Sequence, residues 1–198
     1  MPDSAPALTV TLLGTGTSTG VPVIGCDCPV CSSDAPRDAR LRASSLLDLP
    51  PVAGPFVVAS RTHPDARVEV TPVRAPHGTF EVLGFRIGDF GYLTDVGEVP
   101  DAARQALDGI DTLVLDGLRP DPHPTHLTFD EAATVALEMG VRETWLTHVT
   151  HAMGHDEANA TLPAGVQLAY DGLVLTMGGA AGGLRSRAQP GGNLSNTA

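Results

Sequence analysis

Three cysteines within six residues, Cys26-Asp-Cys28-Pro-Val-Cys31, constrain this chain more than any other feature. No further cysteine occurs. An odd number packed this tightly makes a poor disulfide framework, whereas clustered thiolates suit a metal ion. Three sulfurs leave a tetrahedral zinc one ligand short, and a histidine is the natural fourth. Free structural cysteines are the alternative reading. A second stretch, Leu146-Thr-His148-Val-Thr-His151, places two histidines at or just past a strand that the apolar run Thr144-Trp145-Leu146 predicts. Loops at strand ends are where a rigid scaffold presents its chemistry. Two imidazoles three residues apart outside a helix can serve two different sites, although a histidine taken singly is usually an ordinary hydrogen-bonded residue.

Composition sets the outer bounds. The 198 residues suffice for one domain, and 42% hydrophobic content suffices for a core. A net charge of −11 argues against nucleic-acid backbones and anionic membranes as partners. It leaves room for a phosphate-containing substrate held through bound cations. No apolar run approaches a membrane span, and the start of the chain lacks a basic-then-apolar leader, so the cytoplasm is the expected location.

Ala7–Leu13 alternates as a strand and runs into Gly14-Thr-Gly16-Thr-Ser-Thr-Gly20. No Gly-Lys-Ser/Thr follows, the glycine spacing is not that of a dinucleotide loop, and Pro22 discourages the next helix. A tight turn packed near a site is the expectation. A charged piece, Asp34–Arg42, follows the cysteines; prolines then break up 43–67, with a short strand expected at Phe56–Ala59. Strands are expected at Arg67–Val73, Thr79–Ile87 and Phe90–Thr94, with a turn at Pro76-His77-Gly78 and Asp95 at the last strand's end. Pro100 and Gly109 suit the N1 and C′ positions of a short helix. Thr112–Asp116 reads as a buried strand. Thr128-Phe-Asp-Glu131 is a capping box opening a helix to Met139, ended by Gly140, with Ala132, Val135, Ala136 and Met139 on its core face. A helical turn is expected over Asp156–Ala160. A hairpin is expected from Val166–Tyr170 and Leu173–Met177 across Asp171-Gly172. Residues 178–198 read as a disordered tail, leaving 1–177 as a single domain. Strands first, then strands interleaved with helices, predict an α/β layered sandwich.

His77, Asp95 and His148 thus fall at or just after strand ends, and histidine with carboxylate is the usual ligand set of a hydrolytic metal centre. The succession Leu13-Gly-Thr-Gly16, Gly20-Val-Pro, Gly25-Cys-Asp-Cys-Pro-Val-Cys31, Pro76-His-Gly78, Tyr92-Leu-Thr-Asp95 and Leu146-Thr-His-Val-Thr-His151 resembles the cyclic-phosphodiesterase-like branch of the metallo-β-lactamase superfamily. The branch is similar to the carbon–phosphorus lyase pathway phosphodiesterase, to PQQ-biosynthesis B proteins and, more distantly, to tRNase Z. The resemblance covers residues 7–47 and about 68–177. It implies an αββα sandwich and hydrolysis of a small phosphodiester, such as a cyclic phosphate, by a metal-activated hydroxide. It implies a structural zinc on Cys26, Cys28, Cys31 and His151, and a hydrolytic centre of one or two divalent ions, zinc or manganese, in which His77 and His148 each bind one metal of the family's dinuclear site and Asp95 bridges. His126 corresponds to a histidine that contacts substrate or protonates the leaving group, while His123 and His155 correspond to nothing and read as surface residues. A homodimer is compatible with the resemblance.

The chain departs from this family in one respect. It lacks His-x-His-x-Asp-His; the nearest approach, Arg61-Thr-His63-Pro-Asp65-Ala66, lies too close to His77 for the intervening strands. A deletion between about Leu47 and Arg67, removing part of the first half of the sandwich and leaving His63 an ordinary loop residue, is the simplest account; a degenerate motif is the alternative. Each metal would keep only a terminal histidine and Asp95. Two competing expectations follow: a catalytically inactive member stapled by zinc, acting as a binding or structural protein, or a truncated gene product.

Overall fold

The computed structural model describes residues 8–48 and 70–177. The elements in chain order are β1 (Leu8–Gly14), β2 (Ser44–Asp48), β3 (Thr71–His77), β4 (Phe80–Ile87), β5 (Phe90–Leu93) and α1 (Asp101–Ala106). There follow β6 (Thr112–Asp116), α2 (Phe129–Glu138), β7 (Glu143–Thr147), α3 (His155–Thr161), β8 (Val166–Leu168) and β9 (Leu173–Met177). β2-β1-β9 form a small antiparallel sheet, and β3-β4-β5-β6-β7-β8 form a larger one, antiparallel from β3 to β5 and parallel from β5 to β8.

The large sheet is the middle layer, which explains why its central strands read as continuous apolar runs. Leu113 and Leu115 of β6 and Leu146 of β7 face one core with Ala103 and Leu107 near α1, Phe129, Ala132 and Ala136 of α2, and Ala158 of α3. Val114 and Trp145, one residue out of phase, face the other core with Leu8, Val10 and Leu12 of β1 and Leu173, Leu175 and Met177 of β9. The expected α/β sandwich is present, with helices on one face of the large sheet and the small sheet on the other. No helix among the described residues is long and apolar enough to cross a membrane.

α2 has its capping box: the Glu131 N–H donates to Thr128 Oγ1 at 3.1 Å, and the Thr128 N–H donates to Glu131 Oε2 at 2.8 Å. α1 and α3 are also found, although Pro100 is the N-cap rather than N1, and α3 starts one residue early. The glycine turn packs as expected: a Cβ on Gly14 would lie 2.0 Å from the Arg42 carbonyl oxygen.

Three expectations are corrected. β3 continues through Pro76 to His77; among the described residues it is an edge strand bonded to β4 alone, a position that tolerates prolines. β2 pairs with β1 although its own sequence signals it poorly. No hairpin forms across Asp171-Gly172: the Leu173 N–H does donate to the Tyr170 carbonyl at 3.0 Å, but β8 joins β7 while β9 joins β1. Turn chemistry reverses the chain without choosing the pairing partner, and here the apolar faces of β8 and β9 belong to different cores. The expected strand at Phe56–Ala59, the shortening near 47–67 and the tail at 178–198 lie outside the described residues.

Candidate metal centres

β3 and β5 are each antiparallel to β4, so they run in the same direction as one another and as β6 and β7. The carboxyl ends of these four strands therefore share one edge of the sheet, where ligands of open α/β sheets characteristically bind. His77 ends β3, Asp95 follows β5, Asp116 ends β6 and His148 follows β7; His126 arrives on the loop before α2. Donor atoms of His77, Asp95 and His126 lie within 4.8 Å of one another, as do those of Asp116, His126 and His148. The His126 ring is 4.7 Å from that of His77 and 4.8 Å from that of His148, centroid to centroid, and His148 Nε2 is 3.3 Å from Asp95 Oδ1. Asp95 and His148 hold φ values of 61° and 63°, left-handed backbone that costs a residue with a side chain about 1–2 kcal/mol. Strain of this kind gathers at functional sites.

Hydrogen bonds fix the orientation of these rings. His77 Nδ1 lies 3.0 Å from the Thr125 carbonyl, which can only accept, so its hydrogen sits on Nδ1. His126 Nδ1 lies 2.7 Å from Asp116 Oδ2, which also accepts the Val96 N–H at 2.8 Å. Burial opposes the charged ring of His126, but the hydrogen bond and charge of Asp116 prevail and raise its pKa. Burial raises Asp116 and lowers His148, which favours the neutral, ligand-competent imidazole at position 148 despite the nearby Asp95 charge.

The second cluster forms where the N-terminal loop meets the β7–α3 loop. The Sγ atoms of Cys26, Cys28 and Cys31 and a ring nitrogen of His151 lie within 4.8 Å of one another. His151 Nδ1 is 3.2 Å from Cys28 Sγ and 3.6 Å from Cys26 Sγ. The Cys28 thiol is lowered to about 6, chiefly by His151 and then by the Cys31 N–H, whereas burial raises Cys31. The loop is held by Arg40, whose side chain is fully buried and whose Nη1 donates to the Thr150 carbonyl at 2.9 Å. Further bonds run from the Val149 N–H to the Thr15 carbonyl and from the Thr150 N–H to the Leu118 carbonyl, both at 3.0 Å. One loop thus presents His148 to the sheet edge and His151 to the cysteines.

All eight residues singled out in the sequence fall into these two groups. Sequence reasoning missed Asp116, whose only signal was an acidic residue ending an otherwise apolar strand. It also missed Arg40, which was read only as part of the charged piece Asp34–Arg42. His155 is corrected outright: it is 4% exposed, its ring edge-on to Tyr170, with Nδ1 lacking a partner among the described residues. His123 is only half-exposed and stands 5.0 Å from His126.

A two-sheet α/β sandwich with histidines and carboxylates gathered at one strand edge is the arrangement of the metallo-β-lactamase fold. The chain belongs to the beta-lactamase superfamily, whose domain model matches residues 13–149. It is similar to a solved diphosphatase of the PhnP family, at 32% identity over 86% of this chain and 97% of that one, with a TM-score of 0.75. It shares its fold with zinc-bound PqqB from Methylobacterium extorquens, at 14% identity, a TM-score of 0.63, and coverage of 84% and 99%. A curated relative, an octanoyltransferase of Porphyromonas gingivalis, is 26% identical over 246 residues, covering 82% of this chain and 50% of that protein. The chain spans about half the length of that relative. The fold implies divalent metals, and the donors present suit them: three thiols with an imidazole at one cluster, imidazoles with carboxylates at the other.

Proposed function

We propose that this chain is a metal-dependent hydrolase of a small phosphodiester, with cyclic phosphates and diphosphate-type esters as the substrate class. The observation that carries the reading is the convergence of His77, Asp95, His126 and His148 at the carboxyl edge of the large sheet. The likeness to a PhnP-family diphosphatase supports the phosphate chemistry. A divalent ion at such an edge supplies a Lewis acid and a water of lowered pKa. The chain's own residues orient the reaction. Asp95 offers a carboxylate from a strained loop, and Asp116 fixes the ring of His126, whose Nε2 is left for a proton, a substrate oxygen or an ion. Cys26, Cys28, Cys31 and His151 suit a structural zinc, while the edge suits zinc or manganese. Three free thiols suit a reducing compartment such as the cytoplasm, and a charge of −11 favours a small substrate over nucleic acid or membrane. Neither cluster requires a second copy of the chain.

A second reading has its own support: an inactive, zinc-stapled binding protein. The chain lacks His-x-His-x-Asp-His, and the match to the octanoyltransferase spans 246 positions while covering 82% of this chain, so that relative carries residues within the matched span that this chain does not. Turnover of a bis-aryl phosphodiester and a cyclic phosphate, measured with metal supplied and then chelated, separates the two. Chelator-sensitive hydrolysis is expected. Zinc at the cysteines with no hydrolysis under any metal would establish the second reading instead.

A further inference from the structure

Two ions at the sheet edge would each keep one terminal histidine and share Asp95, well short of the four ligands a tetrahedral ion takes. Among the described residues, donors of His77, Asp95 and His126 lie within 4.8 Å of one another and His148 Nε2 lies 3.3 Å from Asp95 Oδ1, a set that reaches four ligands only if it serves one ion. We propose that His126 is itself a metal ligand, and that this edge holds a single divalent transition-metal ion bound by His77, Asp95, His126 and His148. This rests on the edge being a metal centre, as argued above, but not on its substrate.

The placement of hydrogens is the first support. The Thr125 carbonyl holds the hydrogen of His77 on Nδ1, and Asp116 holds that of His126 on Nδ1. In the neutral rings both lone pairs then sit on Nε2. A ligating histidine almost always donates its other nitrogen's hydrogen to a carboxylate or carbonyl, which orients the ring and raises its basicity. Both rings have that partner already.

Asp116 is the second support. It is fully buried, it joins the His126 ring to the Val96 N–H beside Asp95, and its Oδ1 has no partner among the described residues. One carboxylate thus aligns a candidate histidine ligand and the backbone that carries the candidate carboxylate ligand. The third support is His148, buried, stacked on His126 and with Nε2 against Asp95. The assignment also changes the chemistry. A nitrogen that coordinates an ion has no proton to deliver, so His126 cannot protonate a leaving group while it is a ligand.

Cobalt(II) reconstitution of the full chain tests this, with the cysteine cluster as an internal reference for folding. The wild type should bind one thiolate-ligated cobalt, seen by its charge-transfer bands, and one cobalt without thiolate. The latter should show three shifted imidazole N–H resonances, one each from His77, His126 and His148. His126→Ala and His126→Gln should weaken the non-thiolate site at least about 100-fold, the upper end of what losing even an outer partner costs, and leave two resonances. Asp116→Asn should weaken it about 10–100-fold. The thiolate bands should persist throughout. Unchanged cobalt affinity in both His126 variants, three cobalt ions in the wild type, or none at the edge would each overturn the proposal. Phosphodiester turnover is read separately: hydrolysis lost in His126→Ala with cobalt binding intact sinks the ligand role alone, whereas cobalt bound through His126 without hydrolysis in the wild type sinks the substrate reading alone.

Discussion

Asp95 shows what a single position can reveal and what it conceals. Its place after an apolar strand was legible through its company: a turn carboxylate taken singly is commonly just solvent-exposed, and only together with His77 and His148 at matching strand ends does it point to a site. Its left-handed backbone was not, since φ depends on how the loop returns to Val96 and Asp116. That conformation makes a specific prediction for metal-free protein. Asp95→Gly and Asp95→Ala lose the same carboxylate, but only glycine relieves the backbone, so the glycine variant should be more stable by roughly 1–2 kcal/mol. Thermal melts under chelation should place it several degrees above the alanine variant, at about 2–4 °C per kcal/mol for a chain of this size. Equal melting temperatures would mean that the loop relaxes once metal-free. His155 makes the second prediction at this scale. Burial first, then the charges of Arg37 and Arg40, lower it from 6.5 to about 4. A histidine depressed on folding contributes stability that is complete above the unfolded value and lost as pH falls from about 6.5 toward 4. The loss amounts to roughly 3 kcal/mol. Urea midpoints at pH 7.5 and 4.5 should therefore fall less in His155→Gln than in the wild type. A parallel fall in both proteins would show that other groups govern the acid limb.

At the scale of elements, local signals and pairing signals had different fates. α2 was legible almost residue by residue, because its cap, core stripe and terminal glycine all act within a few positions of one another. Thr128→Ala should accordingly cost about 1 kcal/mol in chemical denaturation without altering metal content. β2 and the separation of β8 from β9 were not legible. Partner choice depends on which core each strand fills, and no local residue encodes that. The Thr147–His151 segment belongs to both categories. Its histidines announced themselves, but its restraint by Thr15, Leu118 and Arg40 comes from distant parts of the chain. Arg40→Met keeps much of the side-chain volume and removes the bond to Thr150, which lies between His148 and His151. The partly buried Thr150 carbonyl it leaves unpaired should cost about 1 kcal/mol. Metal affinity should weaken at both clusters together, read by competition with a chromophoric chelator. Weakening confined to the cysteine cluster would show that Arg40 serves that loop alone.

For the molecule as a whole, the cysteine cluster joins what the sheets leave apart. Cys26, Cys28 and Cys31 sit on irregular backbone between β1 and β2, whereas His151 follows β7 of the other sheet. This long-range link was legible because three thiolates leave a tetrahedral ion one donor short and the family resemblance implies His151 as that donor. The layer order was legible only through family resemblance, since apolar runs show that a strand is buried but not what buries it. A metal at this junction ties the small sheet's connecting loop to the large sheet's ligand edge, so removing it should lower cooperative stability and loosen His148 as well. Binding at 100 times the dissociation constant is worth about 2.7 kcal/mol, hence a fall in melting temperature of roughly 5–10 °C when the ion is stripped. Cys28→Ala should reproduce that fall without chelator, lose one zinc per chain by elemental analysis, and weaken divalent-ion affinity at the sheet edge. If the variant melts as the wild type does while losing its zinc, the cluster is an appended site, and the large sheet alone positions His148.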